Sequence, residues 1–481
     1  MKNLAKDLVA RLWRSPWLDL LPSYCVSFTA HLVALLVLAM IVFRLSPQTR
    51  EAAPVEVFGN DGLEAAADAL DSVQLSVDVA ETKHPDAADV NTLPFDSVPG
   101  VDTLKVLDLK VRPLDFGNDL VAITSPSGRF TGELAGRTGS ARAKLVSKGG
   151  GSTASERCVS SGLRWLARCQ QSDGKWSFHH GPDDPGSLDQ CTTGATGLAL
   201  LSFLGAGHTH RSENARYRTV VDKGIRYLLS QMKRGETGGD LRGKVVGNEG
   251  MYAHAIATLT LCEAYGQTRD PELKDPAQRA INFILAAQDP KGGGWRYSPR
   301  QPGDTTVTGW QLMALKSAKN NRLKVPEQTL VKAGHFLDSV QTADGSRYGY
   351  DRRGATPPMT AIALLCRMYL GWTRENASLQ RGVEYLSRTA PSPNDIYYDY
   401  YATQVLHHWG GPEWKKWNDV LRDQLIETQV KQGDGAGSWK PTGDRGAGTG
   451  GRLYQTCLSI MTLEVYYRYL PLYQKETAGR K

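Results

Sequence analysis

From Ser155 onward the chain repeats itself roughly every fifty residues, and this limits its fold more than any other feature. Each copy has a helix-period segment with one apolar face, then a turn, then a helix-period segment that is apolar almost all round. The first copy reads ERCVSSGLRWLARCQ, QSDGKW and TTGATGLALLSFLGAG. Turn positions Gln171, Gln231, Gln288, Gln341, Arg388 and Gln429 mark six copies, spaced 60, 57, 53, 47 and 41 residues apart. In the first segment Leu163, Leu166 and Ala167 share a helix face opposite Arg164 and Arg168. A helix that is apolar all round needs cover on several sides. One hairpin cannot provide it, so neighbouring hairpins must. Six apolar helices inside and six amphipathic ones outside meet both demands. The expected fold is therefore all-α, a six-hairpin α6/α6 toroid over residues 154–474.

The turns pair a glutamine with an aromatic: Gln171 with Trp176, Gln288 with Trp295, Gln341 with Tyr348, and Gln429 with Trp439. These resemble the QW motifs of squalene and oxidosqualene cyclases. The phrases GGGWRY, YYATQVLHHWGGPEW and TLEVYYRYLPLY also resemble a membrane-anchored bacterial group, the prenyltransferase and squalene oxidase repeat proteins. The resemblance spans residues 155–473, about two thirds of the chain. It implies the toroid shared by terpenoid cyclases, protein prenyltransferase β-subunits and the thioester domains of complement-like proteins. A turn repeated around a ring is expected to be a structural joint rather than a catalytic loop.

The chemistries of that superfamily can be tested against the residues. Squalene cyclases protonate an alkene with a DxDD acid, whose neighbouring carboxylates keep the donor neutral. No DxDD occurs, and the acidic run Asp183, Asp184 and Asp189 is not the DDxxD of magnesium-diphosphate sites either. No GCGEQ-like thioester run is present. Protein prenyltransferases bind zinc through Asp-x-Cys and a distant His, a donor set that suits this metal. Asp189 and Cys191 have that spacing, and His254 in the next hairpin is the candidate third ligand. Against zinc as cofactor, the pair falls in the first repeat, and Gln455 stands where the resemblance implies the histidine. The alternative is a helix-start aspartate, a core cysteine and a hydrogen-bonded histidine.

Other candidates suit a cavity at the start of the inner helices: Asp189, His254, Asp304, Trp310, Tyr397, Tyr401 and Tyr454, with Tyr252 at a comparable position. Aromatic faces there could line an apolar pocket or hold a cation. A ring of helix N-termini could instead attract an anion. The pair His407 and His408 points about 100° apart on a helix, unsuited to one metal.

Upstream of the repeats, residues 24–43 contain no Asp, Glu, Lys or Arg and are long enough to cross a bilayer. Lys2, Lys6, Arg11 and Arg14 precede them, so the positive-inside rule puts residues 1–22 in the cytoplasm, a transmembrane helix at 23–44, and the rest outside. Residues 45–153 read as a linker, acidic and then Gly-rich, with short strands at 73–79 and 104–111 and a flexible tether from 125. Residues 475–481 are a tail. No Lys/Arg run of the nucleic-acid type occurs, and the seven cysteines form no CxxC pair. The expectation is a single-pass protein of the inner membrane whose extracytoplasmic toroid is a binding or scaffolding module for an apolar isoprenoid-like ligand or a peptide, with an isoprenoid or lipid ligand or a protein as partner. The alternative is a terpenoid cyclase or prenyltransferase-type enzyme with a non-standard site.

Overall fold

The computed structural model describes residues 132–137, 139–179, 186–236, 238–245 and 247–473. The expected transmembrane helix, the linker before residue 132 and the tail lie outside them. Among the described residues, no helix is long and apolar enough to cross a membrane.

The described chain is helical. A 3-10 turn, Gly132–Arg137, and helix α1, Gly139–Gly149, come first. Paired helices follow: α2 Thr153–Cys169 with α3 Thr192–Gly205, α4 Ala215–Gln231 with α5 Gly250–Thr268, and α6 Pro271–Ala287 with α7 Thr305–Asn320. Then come α8 Glu327–Val340 with α9 Pro357–Tyr369, α10 Ala377–Thr389 with α11 Ile396–Trp409, and α12 Gly411–Thr428 with α13 Arg445–Leu463. A small antiparallel pair, β1 Lys233–Gly235 and β2 Gly238–Asp240, lies between α4 and α5, and α14 Val465–Arg468 follows α13.

The second members of the pairs touch in order, α3 to α5, α7, α9, α11 and α13, and α13 returns to α3. The first members pack outside: α4 on α3, α6 on α5, α8 on α7, α10 on α9, α12 on α11, and α2 on α13. Burial follows the apolar pattern. In α3 every residue from Thr193 to Gly205 is buried, whereas α2 buries Val159, Leu163 and Leu166 and exposes Arg164 and Arg168.

The joints correct one assignment. In the first turn the bridging residue is Gln170, not Gln171. The Gln170 side-chain amide donates to the carbonyls of Gly174 and Val220, both at 2.9 Å. Gln288 does the same to Gly293 and Thr329 at 2.8 and 2.9 Å, and Gln429 to Gly437 and Cys158 at 2.9 and 2.8 Å. Each amide thus ties its own turn to the next outer helix, and Gln429 reaches α2. Gln171 uses only its backbone here, donating to Lys175 O at 2.9 Å and accepting from Gly174. Two adjacent glutamines made the sequence ambiguous by one residue. The indole N–H of Trp176, Trp295 and Trp439 each ties back to the helix just left, at Leu166, Ile284 and Leu425. The turn glycines Gly174, Gly293 and Gly437 have positive φ, and a Cβ at any of them would collide with a carbonyl oxygen of the next outer helix. Gln170→Ala strands carbonyls that Gln171→Ala leaves untouched. The first should lower stability by about 1–3 kcal/mol and the second by less than about 0.5 kcal/mol, measured by denaturant unfolding.

Each inner helix also offers one side chain to the incoming loop. Thr196 accepts the backbone N–H of Trp176, His254 that of Leu241, and Thr308 that of Trp295. Thr360 accepts that of Tyr348, Asp399 that of Ser392, and Thr456 that of Trp439. A buried N–H at every joint needs an acceptor, and three residue types meet the same need.

The flexible tether expected from 125 to 153 is, from residue 132, a folded arm. Arg137 and Arg142 are buried at the ends of the inner helices. Arg137 donates to the carbonyls of Leu204 and Arg468 at 3.0 Å and pairs with Glu263 at 2.8 Å. Arg142 pairs with Glu156 at 2.7 Å and donates to Ala206 O at 2.9 Å. The last carbonyls of α3 have no partner within the helix, and the arm's guanidinium groups supply it. The glycines that suggested flexibility serve close approach instead. A Cβ at Gly149 or Gly151 would strike Tyr466, while Gly149 O and Gly150 O accept from Trp414 and Asn418 at 2.9 and 3.0 Å.

Candidate binding site

The opposite end, where the inner helices begin, carries the aromatic residues. Asp304 is the N-cap of α7: its Oδ1 accepts from Val307 N at 2.8 Å and from the Thr306 hydroxyl at 2.6 Å. Its Oδ2 is buried with no partner among the described residues. Asp395 caps α11 through Tyr398 N, and Asp444 caps, through Ala447 N, the short turn that opens α13 ahead of a non-helical break at Gly451, both at 2.8 Å. Burial pushes all three carboxyls above the ordinary aspartate value, and the charge of Asp444 adds to the effect at Asp395. The starts of α7 and α11 are already capped by carboxylates, so the anion-attracting ring expected at this end is not available at these two helices.

Tyrosines from neighbouring helices meet over these caps. The Tyr252 hydroxyl lies 2.5 Å from that of Thr306, joining α5 to α7. The Trp310 indole donates to the Tyr397 hydroxyl at 3.1 Å, joining α7 to α11. Trp310 stacks on Tyr400 with centroids 5.9 Å apart, and Tyr401 meets the edges of both Trp310 and Tyr397. Trp310 and Tyr401 are buried, while Tyr252, Tyr397 and Tyr454 remain half-buried and form the open face. Burial raises the hydroxyl pKa of all three half-buried tyrosines, and the fields of Asp304 and Asp444 act in the same direction. They are neutral phenols at physiological pH. Tyr297 and Tyr350 share a hydrogen bond beside them, and Arg296 lies over both rings while paired with Asp351 at 3.2 Å. The surface is aromatic and hydroxylated, backed by the buried Asp304 and the half-buried Asp395 and Asp444.

Of the residues expected here, Asp304, Trp310, Tyr397, Tyr401 and Tyr454 come together with Tyr252. Asp189 and His254 do not. Asp189 is exposed, with His179 at 3.9 Å. Cys191 is buried ahead of α3, and burial pushes its thiol up to about 12. His254 is fully committed: Nδ1 accepts from Leu241 N at 3.0 Å, and Nε2 lies 3.1 Å from Ala280 O. Among the described residues no group of three or more His, Cys, Asp or Glu could hold a metal. The Asp189, Cys191 and His254 zinc set is therefore corrected to a joint histidine, a core cysteine and a surface aspartate. Thr306, Tyr297, Tyr350 and Asp444 were missed. The signal for Asp444 was an acidic residue just ahead of the last inner helix, as at Asp304 and Asp395.

Burial holds the imidazoles of His254 and His407 down at about 4. A depressed folded value means that stability is complete above about 6.5, the unfolded pKa, and is lost as pH falls toward 4. Unfolding midpoints are expected to drop across that window, with a shallower drop in His254→Gln.

No protein-family description and no curated protein matches the chain. Solved structures do resemble it. The type II terpene cyclase MstE from Scytonema is 12% identical over 65% of this chain and 97% of that one, with a TM-score of 0.46. The GH76A alpha-1,6-mannanase of Salegentibacter sp. HEL1_6 is 12% identical over 65% and 98%, with a TM-score of 0.47. The cellobiose 2-epimerase of Spirochaeta thermophila DSM 6192 is 14% identical over 68% and 98%, with a TM-score of 0.49.

Proposed function

We propose that the chain is a six-hairpin toroid held outside the inner membrane by one transmembrane helix, and that it binds a neutral, apolar, isoprenoid-like ligand or a peptide. The observation that carries this reading is the half-buried tyrosine face of Tyr252, Tyr397 and Tyr454 over buried Trp310. Aromatic faces with hydroxyl edges suit an apolar body bearing one polar group. The acids Asp304, Asp395 and Asp444 beneath them disfavour a diphosphate, so an isoprenoid alcohol fits better than its diphosphate. Calorimetry of the full chain in detergent should give saturable binding of farnesol, weakened at least about tenfold in Tyr397→Ala, and none of farnesyl diphosphate. Absence of saturable farnesol binding would remove this reading.

One observation favours the enzyme reading as a second: Asp304 Oδ2 is buried with no partner among the described residues, and burial raises this carboxyl, the direction a proton donor requires. Product formation from squalene that disappears in Asp304→Asn would establish it. Topology has its own test. A reporter fused after residue 481 should be active only outside the cytoplasm.

A further inference from the structure

A second concavity lies at the opposite end from the tyrosine face, where the arm meets α11 and α12. It is a cleft of about 400 Å³ walled by Leu145, Trp414, Tyr466 and Pro471. That volume falls in the range of small-molecule sites, roughly 300–1,000 Å³. Helix α12 begins at its edge with no side-chain cap, and Gly410 and Gly411 both have positive φ. The first backbone N–H groups of a helix carry partial positive charge and seek an acceptor.

A helix start alone would say little. The second observation is His407. It is 95% buried, its relative exposure being 5%, and it lines this cleft. It packs edge-on to Trp414 at 5.0 Å but makes no hydrogen bond with any described residue. Its neighbour His408 points elsewhere, against Tyr369. Unlike those of His408, the His407 ring nitrogens are not among the fully buried unpartnered atoms, so they remain open to a partner in the cleft. At the rim, Lys415 pairs with Asp419 at 2.6 Å, and Arg422 approaches the same carboxylate at 3.6 Å. The one acidic group lining the cleft is thus balanced by cations.

We propose that this cleft is a binding site for a small ligand bearing a phosphate or carboxylate on a compact apolar body. The anionic oxygens would take the backbone N–H groups of Gly411, Glu413 and Trp414, Pro412 having none, with the His407 imidazole and Lys415. The apolar body would lie against Trp414 and Tyr466. Arm and ring both contribute walls, so occupancy would also fasten residues 132–151 to the toroid.

Phenyl phosphate is a suitable probe, titrated into the full chain and followed by tryptophan fluorescence, with Trp414→Phe identifying the reporting residue. The expected result is saturable binding, displaced by inorganic phosphate and weakened at least about tenfold in both His407→Phe and Lys415→Glu. Lys415 is exposed, so its variant should keep the wild-type unfolding midpoint. Tyr397→Ala, which disables the tyrosine face, should bind the probe normally, separating this site from the one proposed above. The proposal is overturned by a flat titration, by failure of phosphate to compete, or by loss of binding in Tyr397→Ala with Lys415→Glu unaffected.

Discussion

Glu263→Ala is expected to destabilise the protein by about 3–5 kcal/mol, the loss typical when one partner of a buried ion pair is removed. Glu263 is fully buried near the end of α5 and pairs with Arg137 at 2.8 Å and Arg468 at 3.5 Å, while Tyr469 donates to it at 2.5 Å. Burial alone would push this carboxyl up. Arg137 and Arg468 outweigh burial and hold it below the ordinary glutamate value. Removing it leaves the buried Arg137 guanidinium without its carboxylate partner and Arg468 with Glu464 alone, at 3.1 Å. Glu263→Gln keeps the shape and the acceptor oxygen and should fall between wild type and alanine. Arg137 comes from the arm, Glu263 from the second inner helix and Arg468 from the C-terminal segment. The same variant should therefore loosen both chain ends, seen as faster proteolysis within residues 132–151. Chemical denaturation at neutral pH measures the first effect; a loss below about 1 kcal/mol would mean that the cluster is solvated in solution.

Trp295→Ala should be of similar size, about 3–5 kcal/mol. The indole has no exposed surface, and its backbone N–H is held by Thr308 while its ring N–H holds Ile284 O. Truncation opens a cavity at the joint and strands that carbonyl. Trp295→Phe loses chiefly the ring hydrogen bond, about 1 kcal/mol. The fourth joint shows that the indole can be replaced when its surroundings change with it. There Tyr348 is buried, its hydroxyl donates to Gly345 O at 3.1 Å, and Arg367 donates to that hydroxyl at 3.2 Å. Transplanting tyrosine alone to position 295, without such an arginine, should therefore not restore wild-type stability.

The helical repeat was legible because it is written in periodicity, which any apolar helix covered by amphipathic ones must display. Trp295 and Gln288 were legible for the same reason. Gln170 was not, because two glutamines stand together and only the carbonyl of Val220 distinguishes them. The role of His254 could not be read from its own neighbourhood in sequence: it holds the place that threonine fills at positions 196, 308, 360 and 456, an equivalence visible only once the hairpins are superimposed. The arm was misread because glycine signals both freedom and close approach, and Tyr466, which decides between them at Gly149 and Gly151, lies more than three hundred residues away. At the tyrosine face Tyr252, Trp310, Tyr397, Tyr401 and Tyr454 could be named in advance, whereas Tyr297 and Tyr350 could not. That the starts of α7 and α11 are capped by acids, and so ill suited to an anion, required the hydrogen bonds of Asp304 and Asp395.

The central claim is that the tyrosine face is where an apolar ligand sits. A photoreactive farnesol analogue, cross-linked to the full chain in detergent and mapped by mass spectrometry, tests it most directly. Label is expected in α5, α7, α11 and α13, on peptides carrying Tyr252, Trp310, Tyr397 or Tyr454, with protection by unlabelled farnesol. Label confined to other peptides, or label that excess farnesol does not displace, would contradict it.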